Sequence, residues 1–388
     1  MMRVGRNVFP QLRRPMRFFK KVIFVSISII VGFVVPLLSF EFLLRFMPVV
    51  GNIEYSVVTE SSPYIHHLPH SVLSTSLGWN FYRVITNQSN NYGYISSADY
   101  SKSGRPTLAV IGDSFVEALQ VEKGRSLTAG LTNSAIGNIY NIAISGSALS
   151  QYVAFAKFAE SEFDPKAFVI VVVGNDFDES LCAVRPKPGH HCYERQNGDL
   201  KLILKESHSV GGIRRVAKQS ALMRYLVFNL KVDWRRLVST ANLLSNEVAD
   251  ARYAGNTEFA KSIWVEQEAR AVVDQFFEDL GMIIGSKPLL FIVDADREAI
   301  YKGSGGDNSF FSKIRNYFIA QAHDHNHEVI DMYPIFLHHY ATHKIKFEFP
   351  TDGHWNELGH KLAAEAVGRS NTVQQLILSE GSVRSRGL

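Results

Sequence analysis

From Thr107 onward the chain carries short, continuously apolar, β-branched runs, and these restrict its fold more than any other feature. Residues 108–111, 168–173 and 289–293 show no apolar–polar alternation; 328–330 is a weaker run, and 138–144 alternates. Strands without alternation are covered on both faces, as in a parallel sheet, whereas a sheet with one wet face alternates. Helix-like stretches at 115–132, 150–162, 264–284 and 309–325 lie between and around them. Strands alternating with helices predict a layered α/β fold. Between residue 177 and about residue 259 no buried strand is legible. Residues 178–260 are therefore read as a helical insertion after the third strand, a lid or subdomain. Within it, 210–238 is basic and amphipathic, and a solvated helix packed on the sheet is preferred over one lying on a membrane. Residues 51–105 hold polar clusters such as Asn87-Gln88-Ser89-Asn90-Asn91 and too little apolar periodicity for a core of their own. They are read as an irregular lead-in packed on a main domain spanning 106–375.

In open parallel sheets, reactive residues sit where strands end and helices begin. The first run ends in Gly112-Asp113-Ser114-Phe115. Ser114 then stands at a helix N-terminus, where free amides and the dipole favour an oxyanion; a serine capping a helix accounts for the tetrapeptide equally. The next two strand ends carry Gly146 and Asn175, a close-approach glycine and an uncharged amide donor. Both suit an oxyanion hole completed by the Ser114 amide, and both also suit a helix-entry turn and an N-cap. Near the chain's end stands Asp352-Gly353-His354-Trp355-Asn356, followed by an Ala-rich helix. There Asp352 can fix the tautomer of His354, whose other nitrogen can accept a proton from a serine hydroxyl. His360 is a fallback base. The histidines at 323, 325 and 327 and at 338, 339 and 343 lack acidic partners at metal-ligand spacing, so no metal site is expected.

These four blocks, in this order, resemble the SGNH/GDSL hydrolase superfamily over about residues 105–180 and 285–370. The resemblance implies a flavodoxin-like three-layer α/β/α sandwich on a five-stranded parallel sheet. It also implies a triad of Ser114, Asp352 and His354, an oxyanion hole of Ser114, Gly146 and Asn175, and ester chemistry without a cofactor. Two positions depart from the commonest pattern: Phe115 replaces leucine, and Asp-x-His replaces Asp-x-x-His. The shorter spacing is similar to periplasmic members that O-acetylate exopolysaccharides. An acylated glycan is the implied substrate, with hydrolase and O-acetyltransferase using the same residues and an inert glycan-binding scaffold as the reading of another class.

Residues 22–40 carry no charge, and at 1.5 Å per residue they can just cross a bilayer core of about 30 Å. Arg3, Arg6, Arg13, Arg14, Arg17, Lys20 and Lys21 precede them, and no acid occurs before Glu41. The expectation is a cytoplasmic basic segment (1–21), an uncleaved single-pass anchor in a bacterial inner membrane (22–40) and a periplasmic body. No small-residue cleavage site follows the run. Without those seven bases, the remainder of the 41 is outnumbered by 37 acids, which disfavours a nucleic-acid partner. Export places Cys182 and Cys192, the only two cysteines, in an oxidising compartment, where they are expected to close a small loop.

Overall fold

The computed structural model describes residues 14–51, 53–132, 136–208, 211–232, 263–303 and 309–386. The bases before Arg14 and residues 233–260 of the expected insertion lie outside them. The chain opens with α1 (Arg14–Leu44), a helix that continues through Pro36. The most apolar 18-residue window of its Phe19–Leu44 portion has a mean hydropathy of 2.7, and none of that window is buried. By length and composition it can cross a membrane.

An antiparallel hairpin follows, β1 (Val72–Leu77) with β2 (Arg83–Gln88). Next come β3 (Leu108–Gly112), the short helices α2 (Ser114–Glu117) and α3 (Leu127–Thr132), β4 (Ile139–Ala143), α4 (Leu149–Phe163) and β5 (Ala167–Val172). A second hairpin pairs β6 (His191–Gln196) with β7 (Asp199–Leu204). Helices α5 (Gly212–Gln219) and α6 (Ala221–Arg224) run into a π-helical turn, Tyr225–Asn229. The chain then continues through α7 (Ile263–Ile284), β8 (Leu289–Val293), α8 (Arg297–Lys302), α9 (Phe310–Asp324), β9 (Glu328–Asp331) and α10 (Met332–His343). It closes with a small ribbon of β10 (Glu348–Phe349) and β11 (Asp352–Trp355), then α11 (Glu357–Gly368) and α12 (Asn371–Arg386).

The five expected strands form one parallel sheet in the order β4-β3-β5-β8-β9. Alternate side chains feed two cores. Ile111, Ile170 and Phe291 pack with Phe155 of α4, Phe276 of α7 and Phe318 of α9 on one face. Val110, Val171 and Ile292 pack with Leu131 of α3, Phe336 of α10 and Ala363 of α11 on the other. Two covered faces explain the runs without alternation, and the result is a three-layer α/β/α sandwich. β9, at the edge, is only half-buried, which is why its pattern was weak.

Four local expectations needed correction. Residues 51–105 are not wholly irregular, since they supply the first hairpin and also cover the sheet's β4 edge. Tyr100 stacks on Tyr140 with centroids 3.9 Å apart, and its hydroxyl both accepts from Asn141 N at 2.7 Å and donates to Asn141 O at 3.0 Å. A covered edge cannot pair with another chain. The helix expected at 115–132 is broken after α2, where Ala118 turns left-handed (φ 55). The first hairpin takes the carbonyls such a helix would use: Thr75 Oγ1 donates to Leu119 O at 2.8 Å and Arg83 Nε to Gln120 O at 3.1 Å. Within 178–260 a strand pair exists after all. Asn197-Gly198, both at positive φ, make its two-residue turn, and Tyr193 and Leu200 bury against the core. The described part of 210–238 bonds to Glu41 near the end of α1, to Val50 just beyond it and to Ser76 of the first hairpin, rather than lying on the sheet as a solvated helix.

Candidate active site

Ser114 stands where β3 turns into α2 at the carboxyl edge of the sheet. Gly112 is needed there for space, because a β-carbon on it would collide with the side chain of Val116. Asp113 caps α2, its carboxylate accepting from Phe115 N at 2.9 Å, and burial pushes that carboxyl up to about 6.

Asp352 and His354 lie on β11. Residues two apart on a strand share a face, so the short Asp-x-His spacing brings both side chains to the same side. One oxygen of Asp352 accepts from His354 N at 3.0 Å and also meets His354 Nδ1. His354 Nε2 lies 2.7 Å from Ser114 Oγ. The three residues, separated by 240 positions between serine and histidine, thus form one hydrogen-bonded chain. Phe115, the departure from leucine, has its ring centroid 5.1 Å from the imidazole and props it.

The strand carrying the histidine is fastened from below. Trp355 Nε1 donates to Asp294 Oδ1 at 2.9 Å, while the fully buried Arg297 donates to Gly353 O at 2.8 Å and to Glu348 at 3.1 Å. Arg297 also pairs with Asp294 at 3.3 Å, both buried, so the Asp294-Ala-Asp-Arg297 segment carries a buried structural ion pair beneath β11. The second oxygen of Asp352 accepts from Lys231 Nζ at 2.7 Å. Burial alone would raise the Asp352 carboxyl, yet His354 and Lys231 hold it well below the usual carboxylate range. Burial also opposes a proton on His354, but Asp352 outweighs it and lifts the imidazole above an ordinary histidine.

Gly146 follows β4 and Asn175 follows β5, the two strands that flank β3, so both stand at the same rim as Ser114. Gly146 has φ +77, and a β-carbon there would collide with Lys187 Nζ, which donates to Ser145 O at 2.7 Å. Burial, with Arg185 nearby, lowers that amine to about 8. The Asn175 amide donates to Glu179 at 3.0 Å. Cys182 and Cys192 are joined in a disulfide that closes the loop bearing Arg185 and Lys187.

His360 is buried on α11, where its Nδ1 accepts from Leu127 N at 3.2 Å and burial lowers it to about 3. It is committed to packing and stands apart from the serine–histidine–aspartate chain. His325 and His327 stack on Phe277. Among the described residues, no group of three or more His, Cys, Asp or Glu is arranged to hold a metal ion.

Sequence reasoning missed three residues. Lys231 comes from the insertion and touches the site only through the fold. Lys187 arrives on the disulfide loop. Glu117 lies three residues after the serine; fully buried, it bonds His67 and accepts from Ser145 N at 3.0 Å, tying α2 to the turn that carries Gly146. Only Glu117 had a signal, as an acid on the apolar first turn of the helix that Ser114 opens.

Residues 89–367 match the family model described as GDSL-like lipase/acylhydrolase. A comparison with curated proteins returns no match. Among solved structures, the chain is similar to a lipolytic protein of the G-D-S-L family from Veillonella parvula, at 12% identity and TM-score 0.38, covering 68% of this chain and 97% of that one. It is similar to the acetyl xylan esterase AlAXEase, at 12% identity and TM-score 0.34, covering 67% and 97%. It is also similar to a family two carbohydrate esterase from Clostridium thermocellum, at 11% identity and TM-score 0.36, covering 74% and 68%.

Proposed function

The chain belongs to the GDSL-like lipase/acylhydrolase family, an ester-bond hydrolase by that membership, and we propose that Ser114, His354 and Asp352 are its catalytic triad. The bonded chain from Ser114 Oγ through His354 to Asp352 carries this reading. Ser114 Oγ attacks the ester carbonyl while His354 Nε2 takes its proton. Asp352 keeps Nδ1 protonated and stabilises the imidazolium that forms. The carbonyl oxygen becomes an oxyanion, met by the amides of Ser114 and Gly146 and the side chain of Asn175; each such donor is worth about 3–4 kcal/mol in the barrier. Collapse of the tetrahedral species breaks the ester C–O bond, and His354 returns its proton to the departing alkoxide. Water, deprotonated by the same imidazole, then releases the acyl group.

The substrates of this reading are O-acyl esters of envelope or extracellular glycans, with the body held outside the bacterial inner membrane by α1. The apolar run with its preceding bases and the disulfide support export, and esterified glycans are met there. If a sugar hydroxyl replaces water in the second step, the same residues perform O-acetyl transfer.

Soluble acetyl-ester turnover by folded variants tests the assignment. Ser114→Ala and His354→Ala are each expected to lose at least about a thousandfold in kcat, whereas His360→Ala keeps turnover. Retained activity in Ser114→Ala overturns it. Product analysis with and without an oligosaccharide acceptor separates free acid from a transferred acetyl group.

A further inference from the structure

The end of α1 is built into the body rather than hanging from it. Glu41 is the first charge after the uncharged residues 22–40, so in a bilayer it marks the headgroup level. Its carboxylate accepts from Ser220 Oγ at 2.8 Å, Leu222 N at 2.9 Å and Ala221 N at 3.2 Å. Leu44 and Val49 bury against Ala221, with Phe81 and Tyr225 packed beside them. The start of α6 is thereby fixed at the height of Glu41.

Around this junction the surface is apolar. Phe46 is 73% exposed, Trp79 at the tip of the first hairpin 70%, and Val216 on α5 67%; Met223, Val227 and Phe228 are exposed as well. Residues 211–231 carry Arg214, Arg215, Lys218, Arg224 and Lys231 and no acid. A solvated helix turns its apolar groups inward, whereas here Val216, Met223, Val227 and Phe228 are exposed on the same segment as the exposed Lys218. Exposed aromatic and aliphatic groups interleaved with bases suit the interfacial region of an anionic bilayer.

We propose that the tip of the first hairpin and the exposed side of 216–230 rest on an anionic lipid surface. The proposal depends on α1 spanning the bilayer. It has a consequence for the site. From Leu222 the helix runs roughly 10 Å to Asn229, which donates to Ser76 Oγ at 2.8 Å. Two residues later Lys231 reaches Asp352. The segment lying on the lipid ends on the triad carboxylate, so esters are met close to the membrane surface.

The test uses the full chain in vesicles of phosphatidylcholine, alone or mixed with phosphatidylglycerol, with acyl chains brominated near the glycerol. Tryptophan emission is compared between the wild type and Trp79→Phe. The expected result is a bromine-quenched share of emission that Trp79→Phe lacks, larger when phosphatidylglycerol is present. Phe228→Trp in the Trp79→Phe background should restore quenching. Alkaline carbonate extraction is run in parallel. A chain released by carbonate overturns the membrane-spanning reading and this proposal with it. A chain that stays in the membrane while neither Trp79 nor a tryptophan at 228 is quenched overturns this proposal alone. Equal quenching with and without phosphatidylglycerol overturns the anionic preference.

Discussion

Asp352 has both carboxylate oxygens engaged, one by His354 and one by Lys231, and the two contacts pull the histidine in opposite directions. Asp352 favours the imidazolium; the Lys231 ammonium opposes it. In the proposed mechanism turnover needs His354 neutral, so activity is expected to fall as pH drops through the histidine's raised pKa. The acid limb of kcat/KM is therefore expected above the ordinary histidine value of 6.5. Lys231→Met removes a cation that disfavours the proton, so the limb should move further toward alkaline pH. Asp352→Asn removes the favourable charge and leaves burial, so the limb should move toward acid, with kcat lower by about 10⁴-fold. pH profiles of the three proteins check both signs, and an unmoved limb in Lys231→Met would reduce that residue to packing. At this scale the three residues that the structure bonds together, Ser114, His354 and Asp352, stood in motifs legible in the sequence, whereas the strand that puts Asp352 and His354 on one face did not. Lys231 was not, since nothing local links position 231 to 352; only the fold brings them together.

Elements were legible where burial imposed a pattern and illegible where partners did. The buried strands β3, β5 and β8 could be read because both faces are covered. The break after α2 could not, since its cause is a hairpin some forty residues upstream bonding to Leu119 and Gln120. The second hairpin had a readable cue in Asn197-Gly198, masked by the charged residues Glu194, Arg195 and Lys201 beside it. The disulfide loop joins this hairpin to the site, because it carries Lys187 over Gly146. Replacing both cysteines, as Cys182→Ser with Cys192→Ser, should lower unfolding free energy by about 2–3 kcal/mol through the freed denatured chain. Ester turnover should fall too, as the lysine loosens over the Gly146 turn. Denaturant titration and kinetics on one preparation check this; unchanged turnover in the destabilised variant would separate the loop from the site.

Across the whole molecule, the sheet order matters most. β3 lies between β4 and β5, so the strand ends bearing Ser114, Gly146 and Asn175 are neighbours, although some sixty residues of chain separate the first from the last. The histidine comes from a ribbon outside the sheet, held to it by Arg297 and Trp355. Chain order gave the blocks their identity, while the parallel crossovers gave them their proximity. A bonded serine–histidine–aspartate chain should make one hydroxyl far more nucleophilic than any other serine in the molecule. The most direct measurement is mass spectrometry of the full chain after reaction with a fluorophosphonate, with residual ester turnover read on the same sample. The expected result is one adduct, on the peptide containing Ser114, accumulating in step with the loss of turnover. An adduct on another residue, or full turnover with Ser114 occupied, would contradict the assignment of Ser114 as the nucleophile.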